Sequence, residues 1–418
     1  MSDIRFEGWL HRSGTGGVYQ DSAGNVGIAS TQPQTRLDIG NGGFQVGPTG
    51  IATVTTVNTT NLVNASPLSY RNLVTNGKFD IFQRNLSGSV VTCNSGSNTY
   101  CMDRWYARGE SSLGVFTLKQ EDITSNAAGV AHAAKVTVTT NAATPGSGDV
   151  YKIAHRIEGR DVAHLELGRA TAKSFTLSFS VKSSVTGTHS GSFMNSAQNQ
   201  SFPFTYTINS ADTWEDKVVN VPARTSGSWV VNNGIGLELN FDMGSGSGKR
   251  GTAGQWAGAR AEGATGAVQV ISTSSATWFV TKVQIEEGDV ATPFEHRYFG
   301  EEMARCQRYY YMHVKGTDNS VATATVYQNN NLFPIVQFPC RMRAEPSLDV
   351  ADGTSYFRAY ANGGSDGFDT FSSIWNPSNT TAGLNAYSND GVSGLSAGHS
   401  SMIITEHASA HVAFSADL

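Results

Sequence analysis

The sequence predicts an all-β protein with a Gly-rich intertwined shaft, a central β-sandwich of the jelly-roll type, a short connecting α-helix and a distal β-domain. Charged residues make up only 15% of the 418 residues, whereas soluble proteins average about 25%. Glycine, serine, threonine and asparagine fill the difference, which favours short strands and turns. Strand-like alternation recurs along the chain, and helical spacing occurs in one short stretch. We place the four parts at residues 1–70, 71–298, 299–311 and 312–418.

The shaft, residues 1–70, contains too few large apolar side chains to bury a compact core within one chain. Short groups of Val, Ile and Leu alternate with Gly, Asn and Pro, as in "GNVGIASTQPQTRLDIGNGG". Such a chain does not recover the entropy that it loses on folding. Two alternatives follow: a flexible linker, or a shaft that gains its core by winding with identical chains. We expect the shaft.

The central part, residues 71–298, contains many short strand patterns. In Phe175–Val181, four apolar residues alternate with Thr176, Ser178 and Ser180. A period of two means that one face of the strand is buried and the other is polar. Many such strands, joined by turns of Gly, Ser and Asn, imply a β-sandwich of the jelly-roll type.

A helix is predicted over Gly300–Tyr310. Two glutamates begin it and two arginines end it, which suits the helix dipole; these are Glu301, Glu302, Arg305 and Arg308. Its apolar residues form one stripe at helical spacing: Phe299, Met303, Cys306 and Tyr310. The stripe can pack on a β-domain of the same chain or on the sister helices of a trimer. Residues 312–418 after the helix again alternate like strands.

Several motifs resemble those of phage tail fibres and other virion appendages. In the shaft these are Gly24–Ser30, Pro33 and Leu37–Ile39, although Ala29-Ser30 stands where the family usually has Gly-Thr. The opening "NLVTNGKFDIFQR", the "DRW" of Asp103–Trp105 and the closing "VQIEEGDVATPFEHR" resemble the carbohydrate-binding-module-like jelly roll of such fibres. The closing motif of this resemblance continues into "CQRYYY", whereas "FPCRMRAEPSL" and the terminal "FSADL" resemble the distal β-domain that follows "CQRYY" in the same fibres.

The resemblance implies a structural virion protein of the tail or an appendage, assembled in the host cytoplasm and adsorbing to a bacterial surface glycan. It also implies a homotrimer whose residues 1–70 bind other tail, baseplate or fibre proteins. Two alternatives stay open. One is a capsid or tail decoration that uses the jelly roll as a spacer, and the other is a polysaccharide depolymerase.

Composition excludes several other partners. The net charge is −5 and no run of Lys and Arg occurs, so we expect no nucleic acid to bind. The sequence has no apolar stretch of about 18 residues, so we expect no membrane insertion. The N-terminus also lacks the apolar core of a signal peptide. Cys93 and Cys101 are spaced to close a small loop, but a reducing cytosol disfavours the bond, so bridge and free thiols both stay open.

Catalytic motifs are absent from the sequence, so we predict a non-enzymatic protein. Adjacent carboxylates such as Glu286 and Glu287 point to opposite faces of a strand and cannot flank one glycosidic bond. The pair Glu301 and Glu302 belongs to the start of the helix. A depolymerase would therefore need two carboxylates that are distant in the sequence, for example Asp103 with Asp242.

No cofactor is predicted, but two groups of residues could hold a metal ion. Asp80, Asp103 and Glu286 are the candidates for a structural calcium ion, although no known loop spacing supports them. His407 and His411 in "HASAH" would share one face of a strand, where three copies in a trimer could surround a metal. The alternative for the histidines is that both are solvated on a terminal strand.

Sugar binding is the chemistry that the sequence favours most. Sugar rings stack their CH faces on aromatic rings and need planar polar partners for their hydroxyls. Three tryptophans lie in or beside Gly-, Ser- and Asn-rich segments, and amides or Arg accompany two of them. The candidates are Trp214, Trp229, Asn232, Asn233, Gln255, Trp256 and Arg260 in the jelly roll and Tyr327 and Tyr356 in the distal part. The alternative is that the tryptophans only close the ends of the sandwich.

Overall fold

A computed structural model describes residues 70–84, 89–94, 96–110, 113–123, 129–328, 331–387 and 395–418, together with residues 22–23 and six short strands before residue 55. The chain divides into two compact units, Met1–Ser66 and Pro67–Leu418. The all-β prediction is confirmed: described strands dominate both units. No helix in the described part is long and apolar enough to cross a membrane.

The first unit is one sheet of six short strands in chain order. Its strands are β1 (Gly8–Leu10), β2 (Gly17–Gln20), β3 (Val26–Ile28), β4 (Leu37–Ile39), β5 (Phe44–Val46) and β6 (Ala52–Val54). Neighbours are antiparallel except for the parallel pair β3–β4. Val18 and Ile28 pair across β2 and β3, yet both are exposed. Winding of this unit with identical chains stays a prediction.

The second unit begins with a jelly roll of two six-stranded sheets. Sheet I has the order β16-β13-β20-β11-β10-β7, and sheet II has the order β15-β14-β17-β12-β9-β8. The strands are β7 (Val90–Cys93), β8 (Thr99–Tyr100), β9 (Trp105–Glu110), β10 (Val115–Asp122), β11 (His132–Thr140), β12 (Val150–Glu158), β13 (Phe175–Ser183), β14 (Gly187–Met194), β15 (Ser201–Ile208), β16 (Glu215–Val221), β17 (Ile235–Asp242) and β20 (Thr277–Glu287). A one-turn helix, α1 (Gly159–Val162), follows β12, and a short parallel pair, β18 (Arg250–Gly251) and β19 (Gly263–Ala264), precedes β20.

The jelly-roll core lies between the two sheets. Phe175, Leu177 and Val181 of β13 are fully buried, as the alternation predicts. Trp105 and Trp278 are also fully buried, and both lie within 7 Å of the Phe241 ring, with centroid distances of 6.5 and 5.2 Å. Aromatic pairs at such distances stabilise a core beyond the area that they bury.

The distal part adds a second core within the same unit. After helix α2 (Phe299–Gln307) come β21 (Tyr310–Lys315), β22 (Ser320–Gln328), β23 (Asn331–Gln337), β24 (Ser347–Val350), β25 (Phe357–Ala361), β26 (Gly364–Phe368), β27 (Thr370–Trp375), β28 (Thr381–Tyr387), β29 (Ser400–Thr405) and β30 (His411–Ser415). A three-stranded sheet has the order β21-β30-β24, and a seven-stranded sheet has the order β26-β25-β29-β22-β23-β28-β27.

The predicted helix exists, but it ends at Gln307, and Tyr310 begins strand β21. The apolar stripe is only partly buried: Cys306 is inaccessible, whereas Phe299 is 59% exposed. The buried face instead includes Glu302, whose carboxylate accepts hydrogen bonds from the main-chain N–H of Asn76 and from Arg297. A glutamate that is paired in this way can occupy a buried position, although the sequence predicts Glu302 only as a charged residue of the first helical turn.

Candidate carbohydrate-binding surfaces

The predicted residues Trp229 and Trp256 form one aromatic pair beside strand β15. Their rings are perpendicular, with centroids 5.6 Å apart, and the Trp256 ring lies 5.3 Å from that of Phe202 on β15. Both indoles are half-buried against the jelly-roll core. Each therefore closes the end of the sandwich and also leaves part of a ring facing solvent.

The indole N–H groups of this pair are already bonded to the main chain. Trp256 Nε1 donates to the carbonyl of Pro222 at 2.7 Å, and Trp229 Nε1 donates to that of Ser226 at 3.3 Å. A ligand at this end would meet ring faces rather than free N–H donors.

Most of the polar residues predicted beside the two tryptophans are held by the protein itself. Asn232 accepts a hydrogen bond from the N–H of Gly234, and Asn233 donates to the carbonyl of Arg343. The Arg260 guanidinium pairs with Glu262, with 2.7 Å between Nε and Oε1. Gln255 is exposed next to Trp256 and is the predicted amide best placed to meet a ligand.

The ion pair of Arg260 continues into a buried charge network on sheet II. Lys152 Nζ lies 2.7 Å from Glu238 Oε1 and 3.1 Å from Glu262 Oε2, and Arg156 also pairs with Glu238. Burial alone would raise the pKa of Glu238, but Lys152 and Arg156 outweigh it and lower the pKa to about 2. These charges satisfy one another, as buried charges must.

Trp214 packs against sheet I and forms no part of this pair. Its ring lies 6.2 Å from that of Phe279 on β20 and 5.5 Å from the ammonium of Lys182 on β13. It packs on a small buried cluster of Ile123, Val130 and Ala133.

The two predicted distal tyrosines have different surroundings. Tyr356 stacks on the imidazole of His407, with a centroid distance of 4.3 Å and an interplanar angle of 10°. Tyr327 is 69% exposed, and its ring lies 5.6 Å from that of Phe333, which in turn lies 5.5 Å from Trp375.

Tyr327 belongs to an exposed surface that we call the aromatic face: Tyr327, Phe333, Ile335 and Trp375, on one side of the seven-stranded sheet. Ile335 is 64% exposed and Trp375 is 54% exposed. The alternate residues of β23, Leu332, Pro334 and Val336, point into the core and are buried. Large apolar side chains that stay exposed together commonly mark an interaction site.

Sequence reasoning missed Phe333, Ile335 and Trp375. One signal was available: in "NLFPIVQ" apolar residues occupy both faces of the strand. A strand in an antiparallel sheet with one solvated side would instead alternate apolar and polar residues. Trp375 had no such signal, because strand pairing through β28 brings it beside Ile335.

The three candidate calcium ligands lie in separate hydrogen-bonded groups. Asp80 contacts His132 and Lys78, each at 2.8 Å. Asp103 is buried and accepts hydrogen bonds from the main-chain and side-chain nitrogens of Gln83 at 2.7 and 2.6 Å. The described residues include no group of three or more His, Cys, Asp or Glu side chains placed to hold a metal ion.

Glu286, the third candidate, is bonded to Thr292, whose N–H and hydroxyl donate to its two oxygens at 2.8 and 2.7 Å. The two histidines do not share a strand. His407 lies in the connection between β29 and β30, and His411 begins β30, where its Nε2 lies 3.4 Å from Asp349. The spacing rule for strands does not apply because the chain turns between them.

The distant carboxylate pair considered for glycan cleavage is fully inside the protein. Asp103 is held by Gln83, and Asp242 accepts hydrogen bonds from the N–H of Ser245 at 2.6 Å and from Arg250 at 3.0 Å. Both are buried, whereas cleavage needs two carboxyl groups that reach one substrate bond.

No protein-family model and no curated protein matches the sequence. Among solved structures, the chain is similar to the enzymatically active domain of tailspike protein 4 of bacteriophage CBA120, at 13% identity and a TM-score of 0.27, over 52% of this chain and 22% of that chain. It is also similar to the family 11 carbohydrate-binding module of a Clostridium thermocellum cellulase, at 10% identity and a TM-score of 0.23, over 50% of this chain and all of that one.

A third similar structure is TmCBM61 in complex with beta-1,4-galactotriose, at 9% identity and a TM-score of 0.26, over 52% of this chain and 99% of that chain. This chain therefore spans less than a quarter of the tailspike chain and nearly all of the two binding modules. With TM-scores this low, the likenesses assign no function to the chain.

Proposed function

We propose that this chain is a non-enzymatic virion fibre protein that attaches a phage to a glycan on a bacterial surface. The observation that supports this most is the aromatic face, which places two exposed rings, Tyr327 and Trp375, on either side of Phe333. Aromatic rings stack on the apolar faces of sugars, and they do so best when they are exposed and held rigidly. The motif resemblance to tail fibres supplies the setting.

In a fibre of three chains, weak contacts between each chain and a sugar would be sufficient for attachment to the bacterial surface. A single contact with a dissociation constant near 1 mM contributes only about −4 kcal/mol. Three copies on one axis can raise the avidity by a factor of about 10²–10⁴ without any new contact. In this proposal the first unit holds three chains together and binds another tail, baseplate or fibre protein.

The test is binding of the labelled full chain to an array of bacterial surface polysaccharides. We expect Trp375→Ala combined with Phe333→Ala to lower the affinity for the bound glycan by about tenfold or more, since each ring supplies stacking area. Tyr298→Ala is the matched control, because it removes an aromatic side chain that is 88% exposed at the start of helix α2.

Three other outcomes would contradict the proposal in different ways. Loss of binding only in Trp229→Ala with Trp256→Ala would place the site at the jelly-roll end. A protein that binds no surface glycan would be a decoration or spacer. New reducing ends in a polysaccharide incubated with the protein would make it a depolymerase.

A further inference from the structure

One continuous row of side chains crosses the outer surface of the seven-stranded sheet at right angles to its strands. Tyr360 pairs with Met402, and Met402 pairs with Thr323. On the other side, Ile335 pairs with Gly383, and Gly383 pairs with Trp375. We call the following set the cross-strand row: Tyr360, Met402, Thr323, Ile335, Gly383 and Trp375.

The two halves of the row meet between β22 and β23. Ala324 pairs with Pro334 across these strands, and both are buried. Because successive side chains point to opposite faces, Thr323 and Ile335 lie side by side on the outer face. The row therefore runs without interruption through β25, β29, β22, β23, β28 and β27.

The length of the row exceeds that of a single sugar. Neighbouring strands lie about 4.7–4.9 Å apart, so six strands span about 24 Å from Tyr360 to Trp375. Each end carries an exposed aromatic ring, and the middle carries Ile335 and a glycine. A ligand that touches both rings must be an extended chain of several sugar units.

No member of the cross-strand row has a charged side chain. Its members are apolar, hydroxyl-bearing or glycine, and so are Ser400, Thr325 and Phe333 in the adjacent row. Arg358, two residues before Tyr360 on β25, is paired with Glu406. The Nη1 of Arg358 also donates to the hydroxyl of Ser365 at 3.2 Å. This cation is therefore already partnered, and an anionic polymer would have to displace Glu406 to use it, so the surface suits a neutral ligand.

The Tyr360 end opens into a groove of about 620 Å³ that offers polar partners. Asn362, Ser365 and the exposed Ser400 line it together with Tyr360 and Met402. Amide and hydroxyl groups can donate to and accept from sugar hydroxyls. The main-chain groups of the inner strands are paired within the sheet, so an added polypeptide strand would find no hydrogen-bonding edge along the row.

We propose that the cross-strand row binds an extended, uncharged polysaccharide that lies across the strands, with one sugar unit on Trp375 and another in the groove beside Tyr360. This inference rests on the proposed glycan-binding function and adds the class and orientation of the ligand. In this proposal every bound sugar chain contacts Trp375, and only longer chains also reach Tyr360.

The test measures affinity against chain length with the full protein. The probes are neutral oligosaccharides, from disaccharide to octasaccharide, cut from the polysaccharide that binds on the array. We expect affinity to rise until the row is filled. Tyr360→Ala should lower affinity by about tenfold for the longest probes and leave the disaccharide unchanged. Trp375→Ala should lower affinity at every length.

A charge in the middle of the row provides a second variant that does not depend on removing an aromatic ring. Ile335→Glu places a carboxylate on an exposed position, so the fold should survive, and we expect it to abolish the gain with length. Val218→Glu is the matched control, because it adds the same charge at an exposed valine of the edge strand β16.

Affinity that is equal for the disaccharide and the octasaccharide, with Tyr360→Ala unchanged, would overturn the extended ligand and leave the proposed function standing. Selective binding of acidic polysaccharides would overturn the uncharged class. Failure to bind any polysaccharide on the array would overturn the proposed function itself, and the row with it.

Discussion

The guanidinium of Arg308 forms a two-point ion pair with the carboxylate of Glu158, with distances of 2.7 Å from Nη2 to Oε1 and 2.9 Å from Nε to Oε2. Glu158 ends strand β12 of the jelly roll, and Arg308 follows helix α2. The hydroxyl of Tyr309 donates to the same carboxylate at 2.9 Å. The pair therefore joins the jelly roll to the distal part, and such bidentate pairs are the strong ones.

Removal of this carboxylate should destabilise the protein. We expect Glu158→Gln to lower the free energy of unfolding by about 1–3 kcal/mol, because it leaves the partly buried Arg308 without its partner. Glu301→Gln is the matched control, since its pair with Arg305 lies within one helix at i, i+4 with about a third of each side chain accessible, and such pairs are worth about 0.3–0.5 kcal/mol. Urea unfolding of the three proteins checks this. Equal midpoints for both variants would contradict it.

The charge network on sheet II predicts a loss of stability in acid. The pKa of Glu238 is about 2 in the folded protein and about 4.5 in the unfolded chain. A lowered pKa stabilises the fold above pH 4.5, and this stabilisation, on the order of 3 kcal/mol, is lost as the pH falls from 4.5 towards 2. The free energy of unfolding, measured across that range, should fall less steeply in Glu238→Gln. An unchanged slope would refute the assignment.

His155 adds a second loss of stability in acid, which begins at a higher pH than the loss due to Glu238. Burial, followed by the nearby charge of Arg104, lowers the pKa of His155 well below 6.5. Only the unfolded chain then takes up this proton, so stability declines as the pH falls below 6.5. NMR titration of the imidazole in the folded protein should show no protonation near pH 6.5. A titration at the ordinary value would contradict the burial argument.

The described cysteines should be unreactive in the native protein. Burial raises the pKa of Cys93 and of Cys101 to about 12, so neither thiol is ionised in mildly alkaline buffer. All four cysteines have free thiols, and Cys340 is the most accessible of them. We expect a disulfide reagent to label Cys340 first and all four only in denaturant. Rapid native labelling in Cys340→Ser would show that the other thiols are exposed.

Gly383 should be required for the position of Trp375. A Cβ atom at residue 383 would lie 2.9 Å from the carbonyl oxygen of Trp375 and 3.3 Å from its indole. Gly383→Ala must therefore shift β27, at a cost of about 1–3 kcal/mol, and should weaken glycan binding as Trp375→Ala does. Gly148→Ala, in a jelly-roll turn, is the control, because no atom would lie within 4 Å of its Cβ. Thermal melts and binding assays on both variants check this.

The sequence predicts those parts of the fold that depend on neighbours in the chain. The alternation in Phe175–Val181 predicts a strand with a buried face, and the structure confirms it. The end of helix α2 was misplaced by three residues, because Tyr310 joins a sheet with Ser415 that the local sequence does not encode. Of the aromatic face, only Tyr327 was predicted, since its other members come together through pairing of distant strands.

The ties around Glu158 have a mechanical consequence. Arg343 of the distal part adds a hydrogen bond to the carbonyl of Asn233 in the jelly roll at 2.8 Å, and the Asn233 amide donates to the carbonyl of Arg343 at 3.2 Å. Tension applied to the seven-stranded sheet would therefore be shared between helix α2 and the side-chain ion pair and hydrogen bonds that join the distal part to the jelly roll. Two parts that are joined by several contacts in parallel separate at a higher force than two parts that are joined by a single linker.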